Sequence, residues 1–551
     1  MNRAQRRRQQ KQAKRAAKNQ KRDRPAAASD LQALLQEGLR AHQAGQLPDA
    51  EAAYRRVLGL DPNYAEAHYN LGNALKDLGR LEDAVASYQK ALAIQPDFAE
   101  AHSNLGIALQ DLGRLEEAVA SYHKARDINP SFAKIHNNLG NALKDLVKFD
   151  DAVASYQKAL AIQPDFAEAH SNLGIALKEL GKLDDAVASY QKALAIQPDF
   201  AEAHNNLGTV LQDLGDSDEA VVSYRKAFSI KPDYVEAHKN LGIISLLLGD
   251  FETGWPEYSW RQLEDDSVLK IRAYSQPFWD GGNLTGKTLF VYPEQGLGDT
   301  IQFVRYLPML RQRGGRVAFD VPLPMVRLLR DLDGVDVAFK SGDSLPPFDC
   351  HISLMELPRL LGTTLDTIPA SGAYLYAEKD RIALWRSRIG GEGFRVGIAW
   401  QGNPSYKADR SRSIALRFFE PLSKIPGVRL ISLQKHDGLD QFKDLPPDMT
   451  VETLGDDFDD GADAFIDTAA VMMGLDLIIT SDTAVAHLAG ALGAPVWTLL
   501  PFNPDWRWML DRDDSPWYPS MRLFRQEKSK HWEGVIDRAA AELAGLVKDS
   551  P

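Results

Sequence analysis

The triplet Asn-Leu-Gly recurs at Asn70, Asn104, Asn138, Asn172, Asn206 and Asn240, 34 residues apart each time. A period kept that strictly limits the fold more than composition does. Each period is one supersecondary unit, too small to bury its own apolar face, so neighbouring units must stack into a continuous core. The glycines extend the series upstream (Gly38, Gly72, Gly106, Gly140, Gly174, Gly208, Gly242), and Pro62, Pro96, Pro130, Pro164, Pro198 and Pro232 keep the same interval. Ala84, Ala118, Ala152, Ala186 and Ala220 each precede a tyrosine by four residues (Tyr88, Tyr122, Tyr156, Tyr190, Tyr224). That spacing puts both on one face of a helix. Glycine and alanine allow two helices to approach, tyrosine fills the space between them, and proline ends the second helix. The pattern predicts an α-solenoid of seven helix pairs over residues 30–265.

A 34-residue helix–turn–helix period with these markers resembles the tetratricopeptide repeat. The resemblance places the first helix of each pair on a concave groove. The asparagine row would then face a bound chain, and a primary amide offers a donor and an acceptor together. Asn70, Asn104, Asn138, Asn172, Asn206 and Asn240 are therefore candidate peptide-binding residues, in a ladder that resembles the one in O-linked N-acetylglucosamine transferases. The histidine row His68, His102, His136, His170, His204 and His238 is spaced by a whole repeat. That is too wide for shared metal coordination at about 2.0–2.1 Å, so no metal is expected. The seventh repeat runs into Phe251, Trp255, Tyr258 and Trp260, an aromatic cluster expected to dock the solenoid on the next domain.

From Leu284 the periodicity changes. Thr288–Pro293 reads as a buried strand, Glu294–Asp299 as a glycine loop, 300–314 as a helix and Arg316–Val321 as a strand, which together make a βαβ unit. Strand-like runs at 335–339 and 348–354 and an apolar helix near 355–362 complete a first Rossmann-like lobe within 284–378. A second lobe, 379–551, shows strands at Arg395–Trp400, Arg429–Leu433, Leu475–Thr480 and Val496–Leu500, with helices at Leu416–Ile425 and Ala484–Leu492. Two parallel sheets facing one another bind ligands at the carboxyl ends of their strands. Loops 294–299, 401–413 and 481–487 lie at such ends. The second carries Lys407, Arg410 and Arg412, suited to phosphate oxygens. The third presents free backbone N–H groups at a helix start, with Asp482 as the expected N-cap and His487 one turn in. Gln434 ends a strand of the same lobe and is grouped with these donor-side residues. Gly296-Leu-Gly298 lacks a third glycine and there is no phosphate-loop lysine, so neither NAD nor ATP is indicated.

The stretches EQGLGDTIQFVRYLP, RVGIAWQGNPSYKADRSRSI and DTAAVMMGLDLIITSDTAVAHLAGALGAPVWTLL resemble the heptosyltransferase-like glycosyltransferases of family 9, in the branch where repeats precede that domain. The resemblance implies a GT-B fold and a nucleotide-sugar co-substrate held by the C-terminal lobe. No metal and no other cofactor is implied. Asp299 falls where the family carries an acceptor-side aspartate, a catalytic base. Asp482, Thr483 and His487 match its donor-phosphate motif. Thr483-Ala484 stands where family members have Ser-Gly, and the Lys407/Arg410/Arg412 loop replaces their lysine motif. The implied activity is an inverting, metal-independent sugar transfer to an acceptor hydroxyl, the repeats presenting a protein or peptide. A non-catalytic scaffold with a degenerate α/β domain is the alternative. Asp511-Arg-Asp513 resembles a metal-binding pair but lies in a loop after Trp506 and Trp508. Trp506 is the best candidate for stacking on a sugar.

Charge narrows the partners. The formal net charge is -12, yet residues 1–24 hold eleven Lys/Arg and one acid, leaving the remainder 53 basic against 75 acidic residues, a net of -22. An acidic body argues against nucleic acid as a specific partner. Residues 1–29, without an apolar run, read as a disordered basic tail rather than a secretory signal. Cys350, the single cysteine, reads as a buried strand residue. One cysteine and no membrane-length apolar run point to the cytoplasm.

Overall fold

A computed structural model describes residues 30–264, 274–370, 372–405, 409–461, 463–528 and 531–549. The expectations for the tail 1–29 and for Lys407 concern residues outside these. The chain forms two compact units, Met1–Leu214 and Gly215–Pro551.

The first unit is a run of helices: 30–43, Leu47–Leu60, Ala65–Asp77, Leu81–Ile94, Ala99–Asp111, Leu115–Ile128, Ala133–Asp145, Phe149–Ile162, Ala167–Glu179, Leu183–Ile196 and Ala201–Leu214. Its repeated residues have the packing roles that the period suggests. A Cβ on Gly72 would sit 2.5 Å from Cε1 of Tyr88, and one on Gly106 2.6 Å from Cε1 of Tyr122. These tyrosines are fully buried, each contributing about 1.5–3 kcal/mol through its apolar body. The hydroxyls stay paired: Tyr88 donates to Asn73 Oδ1 at 2.7 Å and Tyr156 to Asn141 Oδ1 at 2.8 Å. The histidine row is structural. Nε2 of His68, His102, His136 and His170 donates to the carbonyl of Pro62, Pro96, Pro130 and Pro164 at 2.9–3.0 Å. Each bond ties the first helix of a repeat to the proline that ends the previous one.

The second unit begins with helices Ser217–Ile230, Val235–Leu247 and Phe251–Tyr258, the last continuing directly into a 3-10 turn, Ser259–Leu263. Strands β1 (Thr288–Tyr292), β2 (Arg316–Val321), β3 (Val337–Lys340) and β4 (Cys350–Ser353) form a parallel sheet ordered β3-β2-β1-β4. Strands β5 (Phe394–Ala399), β6 (Val428–Ser432), β7 (Leu477–Ser481), β8 (Val496–Leu500) and β9 (Met521–Arg525) form a second, ordered β6-β5-β7-β8-β9. This is an α/β region with two parallel sheets. Cys350 is buried in β4. One apolar core joins Leu246, Phe251, Trp255 and Tyr258 to both lobes, so three of the four aromatics of the terminal cluster dock as expected. Trp260 does not: it stacks on His238 of the same repeat, ring centroids 3.9 Å apart.

The expected helix 300–314 is three pieces: Leu297–Phe303, a 3-10 turn Val304–Tyr306, and Leu307–Gln312. Pro308 cannot donate to an α-helical ladder. The expected helix Leu416–Ile425 likewise splits into Leu416–Phe419 and Glu420–Ser423, with Pro421 opening the second piece. The strand β9 and the helices Ile466–Met472 and Glu533–Asp549 complete the second lobe. Among the described residues no helix is long and apolar enough to cross a membrane.

Candidate active-site cleft

In each sheet the chain order reverses beside one strand: at β1, flanked by β2 and β4, and at β5, flanked by β6 and β7. Crevices open at such switch points, beyond the carboxyl ends of the strands. A cleft of about 940 Å³ lies there, lined by Gln295–Asp299 after β1, Gln401–Asn403 and Arg412 after β5, Leu433–Asp437 after β6, and Asp482–Val485 and His487 after β7. Residues from each of the three loops singled out from the sequence are among them. Pro324 and Ala464 bound it opposite, where Ala464 N–H donates to the Pro324 carbonyl at 2.6 Å and joins the lobes.

Asp299 lines this cleft as the third residue of a helix that begins at Leu297, three residues before the expected start at 300. Gly296 is the cap, and the Asp299 carboxylate reaches back to accept its N–H at 2.9 Å. The other carboxylate oxygen is ion-paired with Arg507. Burial holds the Asp299 carboxyl above its ordinary range, against the pull of the Arg507 guanidinium. Arg507 in turn reaches Asp505 Oδ1 at 2.8 Å and Gln302 Oε1 at 2.6 Å, and lies 4.4 Å from the Trp506 ring centroid. Asp299 and Arg507 come from different lobes, so this pair also spans the cleft.

From the other lobe, the helix Ala484–Ala491 lines the cleft with its first turn. Its N-cap is Thr483 and not Asp482, which is buried one residue earlier. Burial, and then the neighbouring Asp505, raise the Asp482 carboxyl to about 6. His487 is buried and its Nδ1 lies 2.9 Å from the Tyr518 hydroxyl. Burial and the cations Arg507, Arg305 and Arg412 hold its imidazole well below the usual range, so it is neutral. A phenol that donates to Nδ1 would leave the ring proton on Nε2. Gly298 meets this ring: a Cβ there would lie 3.0 Å from His487 Cδ2. The glycine therefore permits the lobes to close on one another.

Arg412 lines the cleft and Arg410 does not; Arg410 is exposed on the same short helix, Asp409–Arg412. Gln434 needs correcting as a ligand. Its Oε1 accepts from Trp400 N–H (3.0 Å) and Gln401 N–H (3.1 Å), while Nε2 donates to the carbonyls of Gln401 (2.8 Å) and Asp437 (2.9 Å). An amide with two acceptances and two donations has nothing left for a ligand, so Gln434 shapes the wall. Trp506 is not a sugar platform: it is buried against Trp255, Tyr258 and Trp517. Trp508 is the tryptophan beside the site, stacked on His487 at 5.3 Å.

Arg507, Asp505 and Tyr518 were not legible as site residues. Backbone strain marks the cleft as well. His436 (φ 66°), Asp459 (φ 43°) and Phe465 (φ 68°) line it in a conformation that side chains rarely adopt, and such strain concentrates at functional sites.

The asparagine row is partly used within the protein. Asn104 Nδ2 donates to Asn73 Oδ1 (2.8 Å) and to the Tyr69 hydroxyl (3.1 Å), and Asn172 Nδ2 to Asn137 Oδ1 (3.1 Å), each on the preceding repeat. Asn70 and Asn138 are buried, while Asn104, Asn172, Asn206 and Asn240 are half-buried. Nδ2 of Asn138 has no partner.

Comparison with known proteins bears on the repeats. Residues 38–79, 72–113, 110–147, 148–181 and 176–215 match the family described as TPR repeat, and 201–234 match Tetratricopeptide repeat. Residues 38–234 are tetratricopeptide repeats. The chain is 28% identical over 315 residues to Protein FlbA of Caulobacter vibrioides, across 53% of this chain and 52% of that relative, so it spans about half of FlbA's length. Among solved structures, MamA is 28% identical over 31% of this chain and 94% of its own, with a TM-score of 0.29. YrrB, a TPR protein with an unusual peptide-binding site, is 25% identical over 34% and 95%, with a TM-score of 0.30. A thermophilic TPR protein of Thermus thermophilus is 28% identical over 33% and 98%, with a TM-score of 0.28.

Proposed function

We propose that the α/β region is a glycosyltransferase of the GT-B kind, inverting and metal-independent, whose repeats hold a protein or peptide carrying the acceptor hydroxyl. The supporting observation is the cleft itself: a carboxylate from one lobe, Asp299, and an anion-binding set from the other, the helix start at Ala484 with Arg412 and His487, line one space at the ends of two parallel sheets. The family 9 resemblance falls on those same loops.

In this reading the nucleotide-sugar diphosphate lies against the free N–H groups of helix Ala484–Ala491, where the helix dipole favours negative charge. Arg412 and the Nε2–H of His487 donate to its oxygens. Asp299, ion-paired with Arg507 in its buried position, accepts the proton of the acceptor hydroxyl. The hydroxyl oxygen attacks the anomeric carbon from the face opposite the diphosphate, and the bond to the leaving oxygen breaks with its electron pair on that oxygen. The cationic and N–H groups stabilise the departing charge. A neutral His487 does so without repelling Arg507.

The alternative, a binding module without turnover, is favoured by one observation: both Asp299 oxygens already have protein partners, Arg507 and Gly296. Single-turnover incubation with a panel of radiolabelled nucleotide sugars and candidate acceptor peptides, in EDTA, decides between them. Transfer with inversion supports the enzyme. Binding of a nucleotide sugar with no transfer to any acceptor or to water would move the assignment to the binding module.

A further inference from the structure

The last repeat does more than abut the α/β region, because it contributes a side chain to the cleft loop. The 3-10 turn Ser259–Leu263 continues helix Phe251–Tyr258 without an intervening loop, so Arg261 is carried by the repeat. Its guanidinium is buried and reaches two carboxylates of the first lobe. Nε and Nη2 meet Glu294 Oε1 and Oε2 at 2.7 and 2.9 Å, and Nη1 meets Glu356 Oε1 at 2.8 Å. Glu294 opens the loop that ends at Asp299, and the Ser353 hydroxyl at the end of β4 also donates to it. Glu356 is held further by Arg359 Nε at 2.8 Å and by the Ser259 hydroxyl, again from the repeat, at 2.8 Å. Two guanidiniums thus balance two carboxylates, one of each pair lying at 4% and 1% side-chain exposure (Arg261 and Glu356).

The loop 294–299 is therefore anchored at both ends, at Glu294 by Arg261 and at Asp299 by Arg507. Between the anchors stand Gly296 and Gly298, with no Cβ to restrict the backbone. Tyr258 and Trp255, from the same repeat, pack on Trp506 beside Arg507, with ring centroids 5.9 and 5.4 Å apart. One element, the end of the last repeat, supports both anchors.

We infer that Arg261 is a positioning residue for Asp299: its two-point pairing with Glu294 fixes the glycine loop that aims the carboxylate into the cleft, so the last repeat is a working part of the α/β site. The inference rests on the reading of Asp299 as the base. Lysine keeps the charge but not the planar two-point fork, which makes Arg261→Lys, in the full chain, the informative variant. Amide exchange followed by mass spectrometry is expected to speed up in segment 294–300 by about tenfold or more, with helices 65–214 and strands β5–β8 unchanged. Nucleoside diphosphate affinity, set by the other lobe, is expected to stay within twofold. Transfer is expected to slow by about 10–100-fold, the scale of a misplaced reactive group. Unchanged exchange in 294–300, or an increase spread evenly over 215–549, overturns the inference. If Arg261→Lys does not fold, Glu294→Gln breaks the same pairing from the loop side and must give the same local exchange. If the wild type transfers no sugar, the base assignment falls, while the exchange result still decides whether Arg261 holds the loop.

Discussion

Changing Asp299 to Asn separates chemistry from stability, because the structure sets the size of each effect. The carboxylate has two partners, the Arg507 guanidinium and the Gly296 N–H at 2.9 Å. An amide can satisfy only one of them with its single oxygen. Arg507 is not orphaned, because Asp505 at 2.8 Å and Gln302 at 2.6 Å remain. The loss is one charge-assisted hydrogen bond, about 1.5–3 kcal/mol, below the roughly 3–5 kcal/mol of a buried charge left without its partner. Loss of a helix cap alone would cost less, about 1 kcal/mol. Removing a general base costs about 10²–10⁴-fold in rate. Urea unfolding of unit 215–551 within the full chain reads the first quantity, and single-turnover transfer at saturating donor reads the second. A stability loss under about 0.5 kcal/mol would mean that the Arg507 pair does not form in solution, since even an ordinary hydrogen bond contributes that much. A rate within tenfold of wild type would remove Asp299 from the mechanism.

Val147→Gly should stabilise the repeats. Val147 sits at φ 61° where the equivalent turns place Gly79, Gly113 and Gly181 at 75°, 73° and 72°; relief of about 1–2 kcal/mol, less about 0.5–1 kcal/mol for glycine's chain entropy, leaves a net gain of roughly 0.5–1 kcal/mol for a side chain 70% exposed. A lower urea midpoint for the repeats would contradict it. Gly298→Ala should weaken nucleoside diphosphate binding severalfold with little change in melting temperature, because the new methyl presses on His487, which Tyr518 and Trp508 prevent from yielding; an unchanged dissociation constant in calorimetry would show that the lobes are not closed in solution. Nucleotide-sugar affinity should rise as pH falls from 7 to 5.5, because Asp482, raised by burial to about 6, loses its negative charge beside the bound diphosphate while His487, held well below its usual range, stays neutral. The same raised value means that Asp482 favours the folded state below about pH 4 and that this contribution is lost as pH rises through about 6. Asp482→Asn should flatten the binding profile.

The repeats were legible in the sequence because their contacts are local: glycine, alanine, tyrosine and proline recur at fixed offsets and meet partners within one or two periods. The loops after β1, β5 and β7 were legible too, since an apolar run followed by glycine or polar residues marks the end of a buried strand. The partners of the site residues were not. Asp299 and Arg507 are 208 residues apart, and nothing near Arg507 distinguishes it from other arginines until the second lobe folds back. Trp506 looked available for a sugar because the aromatics that cover it, Trp255 and Tyr258, belong to the last repeat. Gln434 looked like a ligand because only the fold brings Trp400 and Gln401 to its amide. The helix expected at Ala484 begins there, capped by Thr483 rather than Asp482; the helix expected from 300 begins three residues earlier, at Leu297, because a carboxylate at a cap and one in the first turn give the same sequence signal.

The central claim is that the helix start at Ala484, with Arg412 and His487, binds a nucleotide diphosphate without metal. Titration calorimetry of the full chain with a panel of nucleoside diphosphates, in EDTA and again in Mg²⁺, tests it directly. One-to-one binding of at least one nucleotide, of equal affinity in both buffers and weakened at least about tenfold by His487→Ala, the scale of one lost hydrogen bond to a charged group, is the predicted result. Binding seen only with Mg²⁺, or no binding by any nucleotide, would contradict it.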